Sequence, residues 1–138
     1  MTKDEEASKY MTIIEQCKEQ LNQLEMQSQY IQAAIMDYNK ARLTIEQLNK
    51  IEKETEMIIP IGGGTFINST AKKQEKILVD VGAGIITEKT YEEAIKKIDE
   101  RIQNIEKSQA KIDEMMQNLQ KLGENAAEKA QKLMYEEK

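Results

Sequence analysis

The chain has 138 residues, of which 33 % are charged and 4 % aromatic, and a net charge of −5. With no His and no Trp, it lacks the commonest general base, the commonest metal ligand and the makings of a thick aromatic core. Its single cysteine, Cys17, excludes an internal disulfide. No segment is basic enough for a nucleic-acid groove or apolar enough to cross a bilayer. The first residues, MTKDEEASKY, lack the apolar centre of a secretion signal, so the expected location is the cytoplasm. Abundant Glu, Lys, Gln and Ile with one Pro suits long helices, and also suits disorder; periodicity separates the two.

The first segment, 1–56, carries 7 basic and 11 acidic residues. Alternate steps of four and three from Tyr10 reach Ile14, Cys17, Leu21, Leu24, Ser28, Ile31, Ile35 and Tyr38. All but Ser28 are apolar or Cys, which is the heptad seam of a helix wound against another. Beyond Tyr38 the expectation is a slip of register, with Ala41, Ile45 and Leu48 continuing the seam early. Pro60 pushes Ile59 toward extended geometry, so this helix should end before it.

The middle segment, 57–87, holds four short β-rich runs, MIIPI, TFINSTA, KILVDVG and GIITEK. Gly62, Gly63 and Gly64 divide the first pair, and Gly82 and Gly84 the second, so two β-hairpins are expected. Pro60 cannot donate to a ladder and marks an edge strand or a strand start. Ile77, Val79 and Val81 should share one face. Such hairpins are marginal alone in water. Ile59, Ile61, Phe66, Ile67, Ile77, Val79, Val81, Ile85 and Ile86 are therefore candidate assembly residues, joining strands of other subunits in a shared sheet or barrel.

The third segment, 88–138, opens on Thr90–Glu93, TYEE, a capping box for a second helix. The same stepping from Tyr91 holds one register through Ile95, Ile98, Ile102, Ile105, Gln109, Ile112, Met116, Leu119, Gly123, Ala126 and Ala130 to Leu133. Gln109 and Gly123 are its interruptions. Disorder does not produce such a pattern. Each helix should be roughly 70–80 Å long, and folding back buries both seams. The expected fold is one domain, mainly α with small β: a long antiparallel helical coiled coil with two hairpins at one end that contribute to an oligomeric β-barrel platform.

Phosphate binding at Gly62–Gly64 fails because neither a P-loop Lys nor a helix follows; Thr65, Phe66 and Ile67 continue as a strand. Catalysis fails because the carboxylates are interleaved with lysines on helix faces, as in Glu92–Lys96 and Glu93–Lys97. No catalytic residue, cofactor site or metal site is expected, and the chain is not read as an enzyme. The sequon at Asn68–Thr70 is taken as accidental. There remain the chain ends, where Tyr10, Met11, Ile13, Ile14, Cys17, Leu133, Met134 and Tyr135 cluster. They either fill the seam or hold an apolar client. Met11, Ile13 and Met134 lie off the seam, methionine adapts to irregular partners, and Gly123 with small alanines should leave this end loose.

The middle segment resembles the alpha-class subunits of prefoldin, the chaperone also called GimC. The resemblance lies in Pro60–Gly64, Val81–Gly84, Glu88–Lys89, Tyr91 and Glu92–Glu93, within Ile58–Arg101. It implies an ATP-independent holdase of two alpha-class and four beta-class subunits. The hairpins of such an assembly form a double β-barrel platform. The coiled-coil tips hold non-native polypeptides and pass them to a group II chaperonin. Two hairpins, as here, mark the alpha class. The resemblance has no motif at the tips, so Tyr10 and Leu133 rest on pattern alone. The competing reading is a structural coiled-coil tether or adaptor without chaperone activity.

Overall fold

The computed structural model describes residues 2–136; Met1, Glu137 and Lys138, the outermost residues of the expected domain, lie outside them. Helix α1 spans Lys3–Lys50 and helix α2 spans Tyr91–Glu136. Between them come β1 (Thr55–Gly62), β2 (Thr65–Ala71), β3 (Ile77–Gly82) and β4 (Ile85–Lys89). The strands form two separate antiparallel pairs, β1 with β2 and β3 with β4. The chain divides into two compact units, Met1–Ala34 with Asn104–Lys138, and Ile35–Gln103.

Both helices begin on a reciprocal cap. The Thr90 hydroxyl accepts from the Glu93 amide, and the Glu93 carboxylate accepts from the Thr90 amide, each at 3.2 Å. Thr2 and Glu5 make the same exchange at the start of α1, at 3.2 and 3.3 Å, in the T-x-x-E pattern of Thr2–Glu5 that the sequence reading passed over. Helix α1 stops at Lys50, earlier than the expected 56, because pairing claims more chain than the MIIPI run suggested: Thr55 already lies opposite Ala71.

In the unit formed by the chain's two ends, α1 and α2 run antiparallel. Cys17 lies against Gly123, and Ser28, further along α1, meets Gln109, earlier on α2. Cys17, Leu24, Ile112 and Ala126 are buried there. The remaining seam positions of this unit are half-buried, as a two-helix seam requires. The two polar exceptions turn out to be partners. The Ser28 hydroxyl lies 3.0 Å from the Gln109 amide nitrogen and 3.2 Å from its oxygen, and the same nitrogen donates to Asp113 at 2.9 Å. One layer of the seam is thus polar and satisfied, a device that fixes register at some cost in stability.

The second unit corrects the expected register slip. Ala41 is exposed and Arg42 is half-buried, so the four-three stepping from Tyr38 continues unbroken through Arg42. A charged side chain can occupy the seam because it is paired: the Arg42 guanidinium donates to Asp99 of α2 at 2.7 Å and also bonds Glu46. Bonding to Asp99 first, then the nearby charges of Asp99 and Glu46, pushes the Arg42 pKa further above its ordinary value. Tyr91, Ala94 and Ile98 are buried in this unit.

Candidate functional site

The two hairpins are built alike. Gly62 pairs with Thr65 and Gly82 with Ile85, leaving two-residue loops, Gly63-Gly64 and Ala83-Gly84. All four loop residues have positive φ (59°, 73°, 53° and 74°), as a type I′ turn requires. Ala83 is the one non-glycine residue among those described that takes such a conformation. Gly62 and Gly82, before the loops, also have positive φ, at 106° and 118°. The register shifts just before each of them, so Ile61 and Val81 are extra residues in a bulge. This corrects the expected face of β3. Ile77 and Val79 are half-buried together, whereas Val81 departs from their alternation because the bulge intervenes.

Side chains tie the second hairpin to α2. Arg101 donates to the Asp80 carbonyl, and the Asp80 carboxylate in turn accepts from the Gly82 amide at 2.8 Å. Tyr91 accepts from the Gln74 amide in the link between hairpins at 3.3 Å. Asp99 and Arg101 therefore join elements of the fold; nothing in their sequence spacing pointed to partners 57 and 21 residues away. Met57 and Ala71 of the first hairpin line one cavity with Leu48 of α1 and Ile51 just beyond its end.

What the hairpins leave uncovered is more telling. Ile59, Ile61, Phe66, Ile67, Val81, Ile85 and Ile86 are all exposed, Phe66 by 62 %. Of the candidate assembly residues only Ile77 and Val79 are half-buried. Exposed apolar residues thus gather on two-stranded sheets whose edges are unpaired, which is the signature of an interaction surface.

The chain ends sort into two groups. Tyr10, Ile13, Ile14 and Leu133 are half-buried, and Cys17 is only 4 % exposed. These pack in or beside the seam. Met11 (54 %), Met134 (70 %) and Tyr135 (70 %) face outward. The expected looseness around Gly123 is not found. A Cβ there would stand 3.6 Å from the Cys17 Cβ, and Ala126 is buried, because the small side chains let the helices meet closely. Among the described residues no cluster of acidic residues, Cys or His could hold a metal ion, and no helix is long and apolar enough to cross a membrane.

The profile of the Prefoldin subunit family matches residues 17–135, spanning both helices and both hairpins. The chain belongs to the prefoldin family. It is similar to the prefoldin subunit alpha of Archaeoglobus fulgidus, with 28 % identity over 79 % of this chain and 80 % of that one. The prefoldin subunit alpha of Methanococcoides burtonii is 36 % identical over 68 % of this chain and 66 % of its own length. For Methanopyrus kandleri prefoldin subunit alpha the identity is 30 % over 58 % of this chain, a match spanning about half (51 %) of that relative. These relatives place the chain in the alpha class. A filamentous prefoldin from Methanocaldococcus jannaschii, solved by cryo-electron microscopy, shares the fold with a TM-score of 0.58 at 22 % identity, covering 88 % of this chain and 94 % of that one. Two long helices and two antiparallel hairpins are thus a prefoldin fold, and the chain is an alpha-class subunit of that family.

Proposed function

We propose that this prefoldin subunit is part of an ATP-independent holdase that captures non-native polypeptides at the free ends of its helices and hands them to a group II chaperonin in the cytoplasm. The observation that carries this reading is the exposure of Met11, Met134 and Tyr135 in the unit formed by the chain's two ends. Their seam neighbours are already occupied, so these three add nothing to helix pairing. They offer adaptable apolar surface to a client. The hairpins serve assembly, with beta-class subunits in the ratio of two alpha to four beta. Such a function asks for no catalytic group.

The test is suppression of aggregation of a chemically denatured client by the assembled complex. Replacing Met11, Met134 and Tyr135 together by Ser should weaken suppression and leave the mass of the assembly unchanged. Full suppression by that variant would favour the tether reading, in which the ends serve only the seam. Loss of the assembly would make the three residues structural.

A further inference from the structure

We infer that one flank of the coiled coil at the chain ends binds acidic, amphipathic segments of non-native polypeptide; this deepens the holdase reading and rests on it. The seam of this unit leaves two flanks, and they differ in charge. In heptad terms Ile14 and Gln109 stand at a, and Cys17 and Ile112 at d. The helices run antiparallel, so the g positions of both border the same side of the seam, with the c positions behind them. The e and b positions border the other side. On the g–c flank, from Lys9 to Ala34 of α1 and from Asn104 to Lys132 of α2, every charged residue is a lysine: Lys9, Lys111, Lys129 and Lys132. Over the same lengths the e–b flank carries the carboxylates of Glu15, Glu25, Glu106, Asp113 and Glu124 against the single lysine Lys18. A chain of net charge −5 thus keeps one side of this unit basic and free of carboxylates. The strip ends at Glu6, a turn before Lys9. Among the described residues only Lys132 of the four lysines is in an ion pair, with Glu128 at 3.7 Å.

Apolar groups stand among these lysines. Met115 and Leu122, both at g, are 52 % and 51 % exposed, and Tyr30 at c is 74 % exposed. Ile13, at g on α1, is half-buried. A two-helix seam uses a and d alone; apolar residues at g as well belong to a helix that faces a further element. Lys111, Met115, Leu122 and Lys129 follow one another along α2 at steps of four, seven and seven, a line about 27 Å long. Its complement is a helix of about five turns with apolar residues on one face and carboxylates toward its ends. Lysines unpaired within the fold attract such a segment, and the apolar pair then holds it. Methionine adapts to irregular partners, which suits the varied segments of non-native chains better than one folded ligand. Met11 and Met134 stand at e, so this contact is separate from theirs.

The experiment is fluorescence anisotropy on the complex formed with a beta-class prefoldin subunit. The probe is a labelled amphipathic peptide of Leu and Glu, about five helical turns long, beside a peptide of the same pattern with Lys in place of Glu. The Glu peptide should bind at least about tenfold more tightly than the Lys peptide. Lys111→Gln with Lys129→Gln should weaken the Glu peptide by about tenfold, and Met115→Ser with Leu122→Ser by a similar factor. Lys18→Gln with Lys121→Gln removes the same charge away from this flank and should change nothing. Added salt should shrink the difference between the two peptides. Equal affinity for both peptides, or equal effects of the two lysine pairs, overturns the inference. A fall in the mass of the complex with Lys111→Gln and Lys129→Gln also overturns it, by assigning the flank to a contact between subunits. Suppression of client aggregation is measured in parallel. If suppression is found but the peptides are not distinguished, the inference alone falls. If the Glu peptide binds as expected but no client is suppressed, the holdase reading falls instead. Far-UV circular dichroism confirms that each variant is folded.

Discussion

The unit made by the chain's ends and the pair of hairpins use apolar residues in opposite ways. In the former, Cys17, Leu24, Ile112 and Ala126 are buried against a partner helix of the same chain. In the latter, Ile61, Phe66, Ile85 and Ile86 point into solvent. A two-helix seam needs one stripe per helix, and the chain supplies both stripes. A two-stranded sheet has two faces and two edges, and this chain covers only part of one face of each hairpin. The seam is therefore self-sufficient, and the hairpins are half of something.

The strongest way to break that contrast is Phe66→Asp. It should abolish the oligomer, read by light scattering, while leaving the helical circular dichroism of the single chain intact, because exposed Phe66 contributes little to the fold. If the isolated chain unfolds instead, the hairpin is part of its core. Conversely, Ile112→Ala should destabilise the single chain by about 3 kcal/mol through a cavity in the seam, measured by denaturant midpoint, and leave subunit association untouched. Gln109→Ala should cost about 1 kcal/mol by orphaning Ser28; no change in midpoint would mean that water replaces the amide. Tyr91→Phe should cost a similar amount, about 1 kcal/mol, by releasing the Gln74 amide. Hydrogen exchange at Gln74 is the direct readout. The smallest effect has the opposite sign. Gly123→Ala should stabilise by up to about 1 kcal/mol, because a methyl group there meets Cys17 at ordinary contact distance. A lowered melting temperature would show that the helices need glycine to approach.

Legibility in the sequence followed the range of the interaction. The heptad stepping reached most of the buried positions of α2, because helical period is a local property of the chain, but it passed over Ala94, which is fully buried. The hairpin turns were also visible, since Gly62–Gly64 and Gly82–Gly84 sit where backbone of positive φ is needed. The bulges at Ile61 and Val81 were not, because a bulge is defined by the partner strand and not by the strand that carries it. The register through Arg42 was missed for a related reason. An arginine looks excluded from a seam until its carboxylate, Asp99 on the other helix, is in view. Ser28 and Gln109 each looked like a defect for the same reason, and together they form one polar layer.

The sequence by itself determined the element order, the turn positions and the seam-facing side of α2 and of α1 as far as Tyr38. These depend on residue spacing and on what each backbone unit can adopt. Tertiary structure alone decided which exceptions pair and which end residues are spent on packing: Cys17 is enclosed, while Met11 and Met134 remain outside. The reason is physical. Burial and hydrogen bonding join residues tens of positions apart, and one helix's spacing carries no information about what its neighbour presents.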